Sequence, residues 1–324
     1  MPGPPGSPDP AVAAVRTAVR RAVATHLAAG EPITVACSGG ADSIALATAV
    51  AFEAARWPVR PAAVVVDHGL QPDSAEAAAA VADTLRRLRL EPVTVVRVDV
   101  PAAGGGGPEA RARTARYAAL QTSSGGGWVA LGHTLDDQAE TVLLGLGRGS
   151  GPRSIAGMSE ADRPWLRPLL GVRRSTTRAA CAAEGMPVWD DPHNADPSYT
   201  RVRLRQEVLP LLEDVLQGGV AAALARTADL LREDCAELDA QAAALAVSRL
   251  TEPAPSVSVF TDQPPALRGR LLRLWLAPVG ALTAAHLAAV EALVTEWRGQ
   301  GAVALPGGAE VRRASGRLHL RVRR

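Results

Sequence analysis

The stretch Ile33-Thr34-Val35-Ala36-Cys37-Ser38-Gly39-Gly40-Ala41-Asp42-Ser43, continuing into Ile44-Ala45-Leu46-Ala47-Thr48, limits the fold more than any other part of the chain. Its first residues read as a buried strand, Ser-Gly-Gly as a sharp turn, and Asp42-Ser43 as the opening of an apolar helix. Two glycines let successive backbone N–H groups converge into a nest. The helix start adds unpaired donors and the positive end of its dipole, an assembly that favours a polyphosphate. The same small residues would also serve a plain strand–turn–helix joint. A Walker loop is excluded because it needs a lysine after its second glycine. The chain contains no lysine, all 35 of its Lys+Arg residues being arginine. Schiff-base and lysyl-adenylate chemistry are therefore excluded as well.

Strand-like and helix-like segments alternate through the first half. Helical spacing over 11–29 precedes the first strand. Strands are expected at 59–66, 93–98 and 128–131, and helices at 75–90, 109–121 and 136–146. This alternation predicts an α/β fold, a doubly wound parallel sheet with its ligand at the carboxyl ends of the strands. The loop at Ser38, the pair Asp67-His68 and the pair Gly132-His133 all fall at such ends. The pattern then changes to an arginine-rich polar stretch, a long helix over 207–250, and a small α+β domain. That domain has a short strand from 257, two helices, and strands near 302–305, 310–313 and 318–322, with Ser315-Gly316 as a hairpin turn. The expected layout is a disordered tail (1–10), a domain built on the polyphosphate-favouring loop (11–210), a helical linker (211–250) and a small C-terminal domain (251–324). At 324 residues, two domains with real cores are affordable.

A formal charge of +2 argues nothing about nucleic acid by itself, but the arginines are unevenly placed. Cys37, Cys181 and Cys235 lie far apart without a C-x-x-C pair, which speaks against a disulfide framework or zinc ribbon and suits a cytoplasmic protein. No apolar run is long enough to suggest a membrane span.

The run Gly132-His133-Thr134-Leu135-Asp136-Asp137-Gln138-Ala139-Glu140-Thr141 is the second informative feature. Asp136 and Glu140 are four apart on one helix face with Asp137 beside them. Such acids persist readily with a cation between them, either Mg2+ bridging to phosphate or a substrate ammonium. They also suit the acidic first turn of an ordinary helix. His133 reads either as a site residue or as a packed histidine. Arg148 would hold phosphate or simply close a helix, and Arg113 with Arg116 forms either a site or a solvated face.

Together these segments resemble the tRNA(Ile)-lysidine synthetase family of the PP-loop ATP pyrophosphatase superfamily. The resemblance is carried by Ser-Gly-Gly-Ala-Asp-Ser, Asp67-His68-Gly69-Leu70, 109–117, 131–158, Leu166-Arg167-Pro168-Leu169-Leu170, 199–212, Leu282-Thr283-Ala284-Ala285-His286-Leu287 and Ala304-Leu305-Pro306-Gly307-Gly308. It implies an adenine nucleotide α-hydrolase-like fold and a two-step reaction. ATP adenylates the C2 oxygen of the wobble cytidine in a CAU-anticodon tRNA(Ile). The ε-amine of free L-lysine then displaces AMP.

The resemblance assigns ATP to Ser38, Gly39, Gly40, Ala41, Asp42, Ser43, His68, Arg113 and Arg148, with Asp42, His133 and Asp136 catalytic. It gives Mg2+ to Asp42 and Asp136, the lysine to Asp137 and Glu140, and tRNA to Arg201 and Arg205. The arginines of 163–178 and of the tail 312–324 would follow tRNA phosphates. A homodimer remains open. Three departures stand out: Gln71 where arginine is frequent, the insert 104–107, and Val202 in place of asparagine. A sulfur-transferring relative would need a cysteine cluster, and an amidating synthetase a glutaminase partner. A purely tRNA-binding protein would have no use for the loop or the acids.

Overall fold

The computed structural model describes residues 8–57, 61–67, 69, 73–99, 108–149, 151–191 and 196–322. His68, Gln71 and the insert 104–107 lie outside these. The chain divides into two compact units, Met1–Gly147 with Gly157–Thr227, and Arg148–Ala156 with Ala228–Arg324.

The first unit opens with α1 (Pro10–His26), started by a proline and capped by the Asp9 carboxylate, which accepts from the Ala11 N–H at 2.8 Å. There follow β1 (Ile33–Ala36), α2 (Ala41–Ala54), β2 (Ala62–Asp67), α3 (Ser74–Arg87), β3 (Val93–Arg97), α4 (Pro108–Ser123), β4 (Trp128–Leu131) and α5 (Leu135–Arg148). After α6 (Pro152–Ile155), which belongs to the second unit, come β5 (Ala161–Asp162), β6 (Trp165–Leu166), α7 (Arg174–Ala183), α8 (Thr200–Arg203) and α9 (Leu209–Val215). Among the described residues the sheet has six strands in the order β3-β2-β1-β4-β6-β5. All neighbours pair in parallel except β5 with β6, an antiparallel edge hairpin that the sequence reading did not include.

Period-two alternation explains why both sheet faces are covered. Ile33, Val35, Ala63, Val65, Trp128 and Ala130 face one core, shared with α1, α2, α3 and α7. Ala36, Val64, Val129 and Leu131 face the other, closed by Leu120 and Tyr117 of α4. Each valine, leucine or isoleucine among them withdrawn from water stabilises the fold by roughly 1.5–3 kcal/mol. The crossovers from β1 to β2 and β3 run one way along the sheet, while β4 returns to the far side of β1. The carboxyl ends of β1 and β4 therefore flank the point where strand order reverses, which is where such sheets bind ligands.

The long helix expected over 207–250 is broken. A π-helical turn (Leu204–Val208) leads into α9, and Gln217, Gly218 and Gly219 then take φ of 61°, 91° and 77° before α10 (Val220–Arg249). Three successive left-handed residues cannot continue a right-handed helix. The Glu213 carboxylate caps the restart, accepting from Val220 and Ala221 N–H groups at 3.0 and 3.1 Å.

The second unit packs α11 (Ser258–Thr261), α12 (Pro265–Trp275) and α13 (Ala284–Thr295) against the antiparallel sheet β7 (Val303–Ala304), β8 (Glu310–Ala314) and β9 (Arg317–Arg321). The strand expected from 257 is helix α11, with Ser256 bridging to Arg317. Ser315 and Gly316, with φ of 51° and 71°, make the two-residue turn between β8 and β9. Among the described residues no single helix is long and apolar enough to cross a membrane.

Candidate active site

The loop after β1 is tied together from within. Ser43 Oγ donates to the Gly40 carbonyl at 2.9 Å and accepts from the Ser38 N–H at 3.2 Å. Gly40 caps α2 without a side-chain hydrogen bond, and although the Ser43 N–H donates to the Gly40 carbonyl at 3.1 Å, the N–H groups of Ala41 and Asp42 point from the helix start for a ligand. Gly39 has φ of 87°, and a Cβ there would stand 2.6 Å from Val81 Cγ2. The Trp189 N–H donates to the Gly39 carbonyl at 2.9 Å, so the segment after α7 is laced onto this turn. Beside it lies a cavity of about 210 Å³ at the ends of β1 and β2, lined by Ala36, Ser38, Val64, Asp67, Arg116 and Trp189 among others.

Gly132 presses the exit of β4 onto the start of α2. A Cβ at Gly132 would lie 3.0 Å from the backbone of Asp42 and Ser43. This approach brings the acids of α5 to the loop. Thr134 N–H and Oγ1 each donate to Asp137 Oδ2 at 2.8 Å, so Asp137 closes the first turn of α5 with one oxygen. Its other oxygen meets Arg174.

Arg174 begins α7 and joins the groups the sequence singled out. Its Nε lies 3.0 Å from Asp42 Oδ2, its Nη2 2.5 Å from Asp137 Oδ1, and its Nη1 3.4 Å from Glu140 Oε1. Its backbone N–H donates to Asp136 Oδ2 at 2.8 Å. Around it, Arg205 Nε lies 2.8 Å from Glu140 Oε1, Arg201 Nη1 3.6 Å from Glu140 Oε2, and Arg173 Nη2 3.2 Å from Asp136 Oδ1. Glu140 is fully buried, yet its Oε2 has no hydrogen-bond partner. Burial pulls the Arg174 guanidinium down, but Asp137, Asp42 and Glu140 outweigh that and hold it above its ordinary value. Burial, helped by the neighbouring Asp137 charge, holds the Asp42 carboxyl above its ordinary value although Arg174 and Thr177 lower it. Asp137 is desolvated too, but Arg174 and His133 bring it below the ordinary carboxylate range.

His133 is pushed down to about 3, first by burial and then by Arg167, Arg116 and Arg113, with Asp137 opposing. At neutral pH it is an uncharged imidazole whose buried Nδ1 has no partner. Arg113 is exposed on α4, donating to the Tyr117 hydroxyl at 3.1 Å. Arg148 is the exposed last residue of α5 and falls in the second unit.

Asp42 and Asp136, expected to share a metal, each have both carboxylate oxygens engaged. Asp42 meets Thr177 and Arg174, and Asp136 meets Arg173 and the Arg174 N–H. Among the described residues no group of three His, Cys, Asp or Glu is arranged to hold a metal ion.

Sequence reasoning set Arg167 and Arg174 among residues following tRNA phosphates, whereas both are turned inward. Arg167 is buried and donates to the Ser159 carbonyl at 2.9 Å. A signal was present for Arg174. Arginines at 173 and 174 open a helix, where the dipole disfavours cations, so an acidic neighbour had to compensate. Trp189 and Thr177 carried no such signal.

A strand, a glycine loop capping a helix, and an opposed acidic helix at the switch point define a PP-loop nucleotide-binding protein, and a model described as PP-loop domain matches residues 14–212. A second model, the TilS substrate binding domain, matches residues 256–319. The chain is 54% identical to tRNA(Ile)-lysidine synthase of Rhodococcus jostii, covering 96% of each chain. It is 54% identical to that of Salinispora tropica over 95% of this chain and 96% of the relative, and 50% identical to that of Streptomyces coelicolor over 97% and 99%. The chain belongs to the tRNA(Ile)-lysidine synthase family. Its fold is also similar to the U34-tRNA thiolase NcsA of Methanococcus maripaludis, solved with its [4Fe-4S] cluster, with a TM-score of 0.58 at 17% identity over 68% of this chain and 80% of that one. Cys37, Cys181 and Cys235 of this chain are buried and free.

Proposed function

We propose that this chain converts the wobble cytidine of a CAU-anticodon tRNA(Ile) to lysidine. The C2 oxygen of cytidine attacks the α-phosphorus of ATP and pyrophosphate leaves. The ε-nitrogen of free lysine then bonds to C2 and gives up its proton, and AMP departs with the former C2 oxygen. The observation that carries this reading is the meeting of a triphosphate loop with a buried acidic wall. Asp42 of the loop and Asp137 and Glu140 of α5 sit on one guanidinium, and Glu140 Oε2 still lacks a donor.

In this reading the uncapped start of α2 and the loop around Gly39 hold the triphosphate, where charge develops as pyrophosphate leaves. The cavity beside Trp189 takes the adenosine. Asp42 and Asp136 would be the residues beside an Mg2+ ion bound with the nucleotide, and that ion would supply positive charge to the phosphate oxygens. Asp137 and Glu140 receive the lysine ammonium. Neutral His133 is suited to hydrogen-bond the reacting base or phosphate, and Arg113, exposed on α4, is available to an anionic group. Arg201 and Arg205, four residues apart, stand between the acids and the incoming anticodon, whose base must be splayed out to react. In the second unit, Arg312 and Arg321 on the exposed side of the β8–β9 hairpin offer phosphate contacts.

The test is incubation with ATP, labelled lysine and CAU-anticodon tRNA. Label should enter the tRNA, one per molecule, with one AMP released, and Asp42→Ala and Asp136→Ala should each abolish it. ATP-independent tRNA binding with no label and no AMP would refute the assignment.

A further inference from the structure

Four carboxylates, Asp42, Asp136, Asp137 and Glu140, face four guanidiniums, Arg173, Arg174, Arg201 and Arg205. Arg173 is shared with Glu213 at 3.8 Å, but each of the four acids already meets a guanidinium, so a lysine ammonium can enter only if a guanidinium gives way. Of the four, Arg174 alone reaches Asp42, and it does so while its two terminal nitrogens lie on Asp137 and Glu140. One side chain spans the triphosphate end and the ammonium end of the site.

We propose that Arg174 is a positioning residue that occupies the ammonium's place and yields it when the triphosphate arrives, so that ATP opens the lysine subsite. This rests on the lysine reading above.

The physical argument is competition for one cation. A triphosphate at the start of α2 brings several negative charges beside Asp42, and a guanidinium bonds phosphate oxygens bidentately and strongly. Turning toward them takes Arg174 off Asp137 and Glu140 at little cost to itself. The two carboxylates, one of them fully buried, then keep Arg205 at 2.8 Å from Glu140 and 3.7 Å from Asp137, and Arg201 at 3.6 Å from Glu140, but are one positive charge poorer, a deficit that another cation can fill. A primary ammonium fits that vacancy, and Glu140 Oε2 already lacks a donor. Before ATP binds, lysine must displace a bonded arginine; afterwards it fills a deficit. Nucleotide and amino acid should therefore bind with positive coupling, and the coupling must be reciprocal.

The experiment is calorimetry on the full chain with L-lysine, with and without α,β-methylene-ATP and Mg2+, in the presence and absence of CAU-anticodon tRNA. Lysine should bind at least tenfold more tightly with the analogue present, and lysine should tighten the analogue by the same factor. In Arg174→Gln the coupling factor should fall to about twofold or less, chiefly because lysine binds better without nucleotide. Equal lysine affinity with and without analogue in the unaltered chain overturns the proposal, with no variant needed. A coupling factor unchanged in Arg174→Gln overturns it as well. Failure of lysine to bind under any of these conditions removes the lysine reading itself, and this inference with it.

Discussion

Gly39 and His133 each carry a local constraint that a single substitution would expose. The left-handed backbone at Gly39 and the 2.6 Å approach of Val81 leave no room for a β-carbon. Gly39→Ala should weaken ATP binding more than tenfold by calorimetry and lower the melting temperature by several degrees, since strain of this kind costs on the order of 1–3 kcal/mol. His133 gives a pH dependence whose sign follows from its lowered pKa. Unfolded, it takes up a proton near its ordinary value of 6.5; folded, it resists until about 3, held neutral by burial and by Arg167, Arg116 and Arg113 against the attraction of Asp137. The unfolded state therefore binds more protons between those values, and stability should fall as pH drops from about 6.5 toward 3. His133→Asn should flatten this part of the curve in pH-resolved urea melts. An unchanged slope would mean the imidazole titrates normally.

The segment after α7 joins parts far apart in the chain. It supplies Trp189, whose backbone is bonded to the loop turn and whose ring lines the cavity at the ends of β1 and β2. An aromatic wall is worth about 1–3 kcal/mol against a stacked base. Trp189→Ala should therefore raise the KM for ATP by roughly tenfold or more with a smaller change in kcat, while Trp189→Phe should recover most of the loss. A fall in kcat at unchanged KM would assign the residue to the chemistry instead. The break between α9 and α10 follows similar local logic. Gln217-Gly218-Gly219 was visible in the sequence, but helical periodicity on both sides masked it, because apolar spacing carries through a short interruption.

Two units each bury a core of their own, one α/β and one built on an antiparallel hairpin sheet. In the second, the exposed Arg312 and Arg321 belong to strands β8 and β9, where they add charge without being needed for the core. Replacing both with glutamine should lower the salt dependence of tRNA binding by about two charges' worth, a change of roughly 1.4–1.8 in the log–log slope. Lysine affinity should not change. An unaltered slope would place the tRNA phosphates elsewhere.

The parallel sheet, the glycine loop, the hairpin turn and the acidic run on α5 were legible in the chain because each is a local pattern. Strand alternation, a Ser-Gly-Gly turn and i, i+4 spacing are set by neighbours a few residues apart. Tertiary structure alone decided what the acids face. The sequence called for a cation among Asp136, Asp137 and Glu140, and the fold brings one from α7, 34 residues beyond Glu140. Because 47% of the residues are apolar and all 35 basic residues are arginine, composition could not say which guanidinium would turn inward. That choice depends on where a helix start comes to rest against a sheet edge, and Coulomb attraction between groups distant in sequence leaves no periodic trace in the chain.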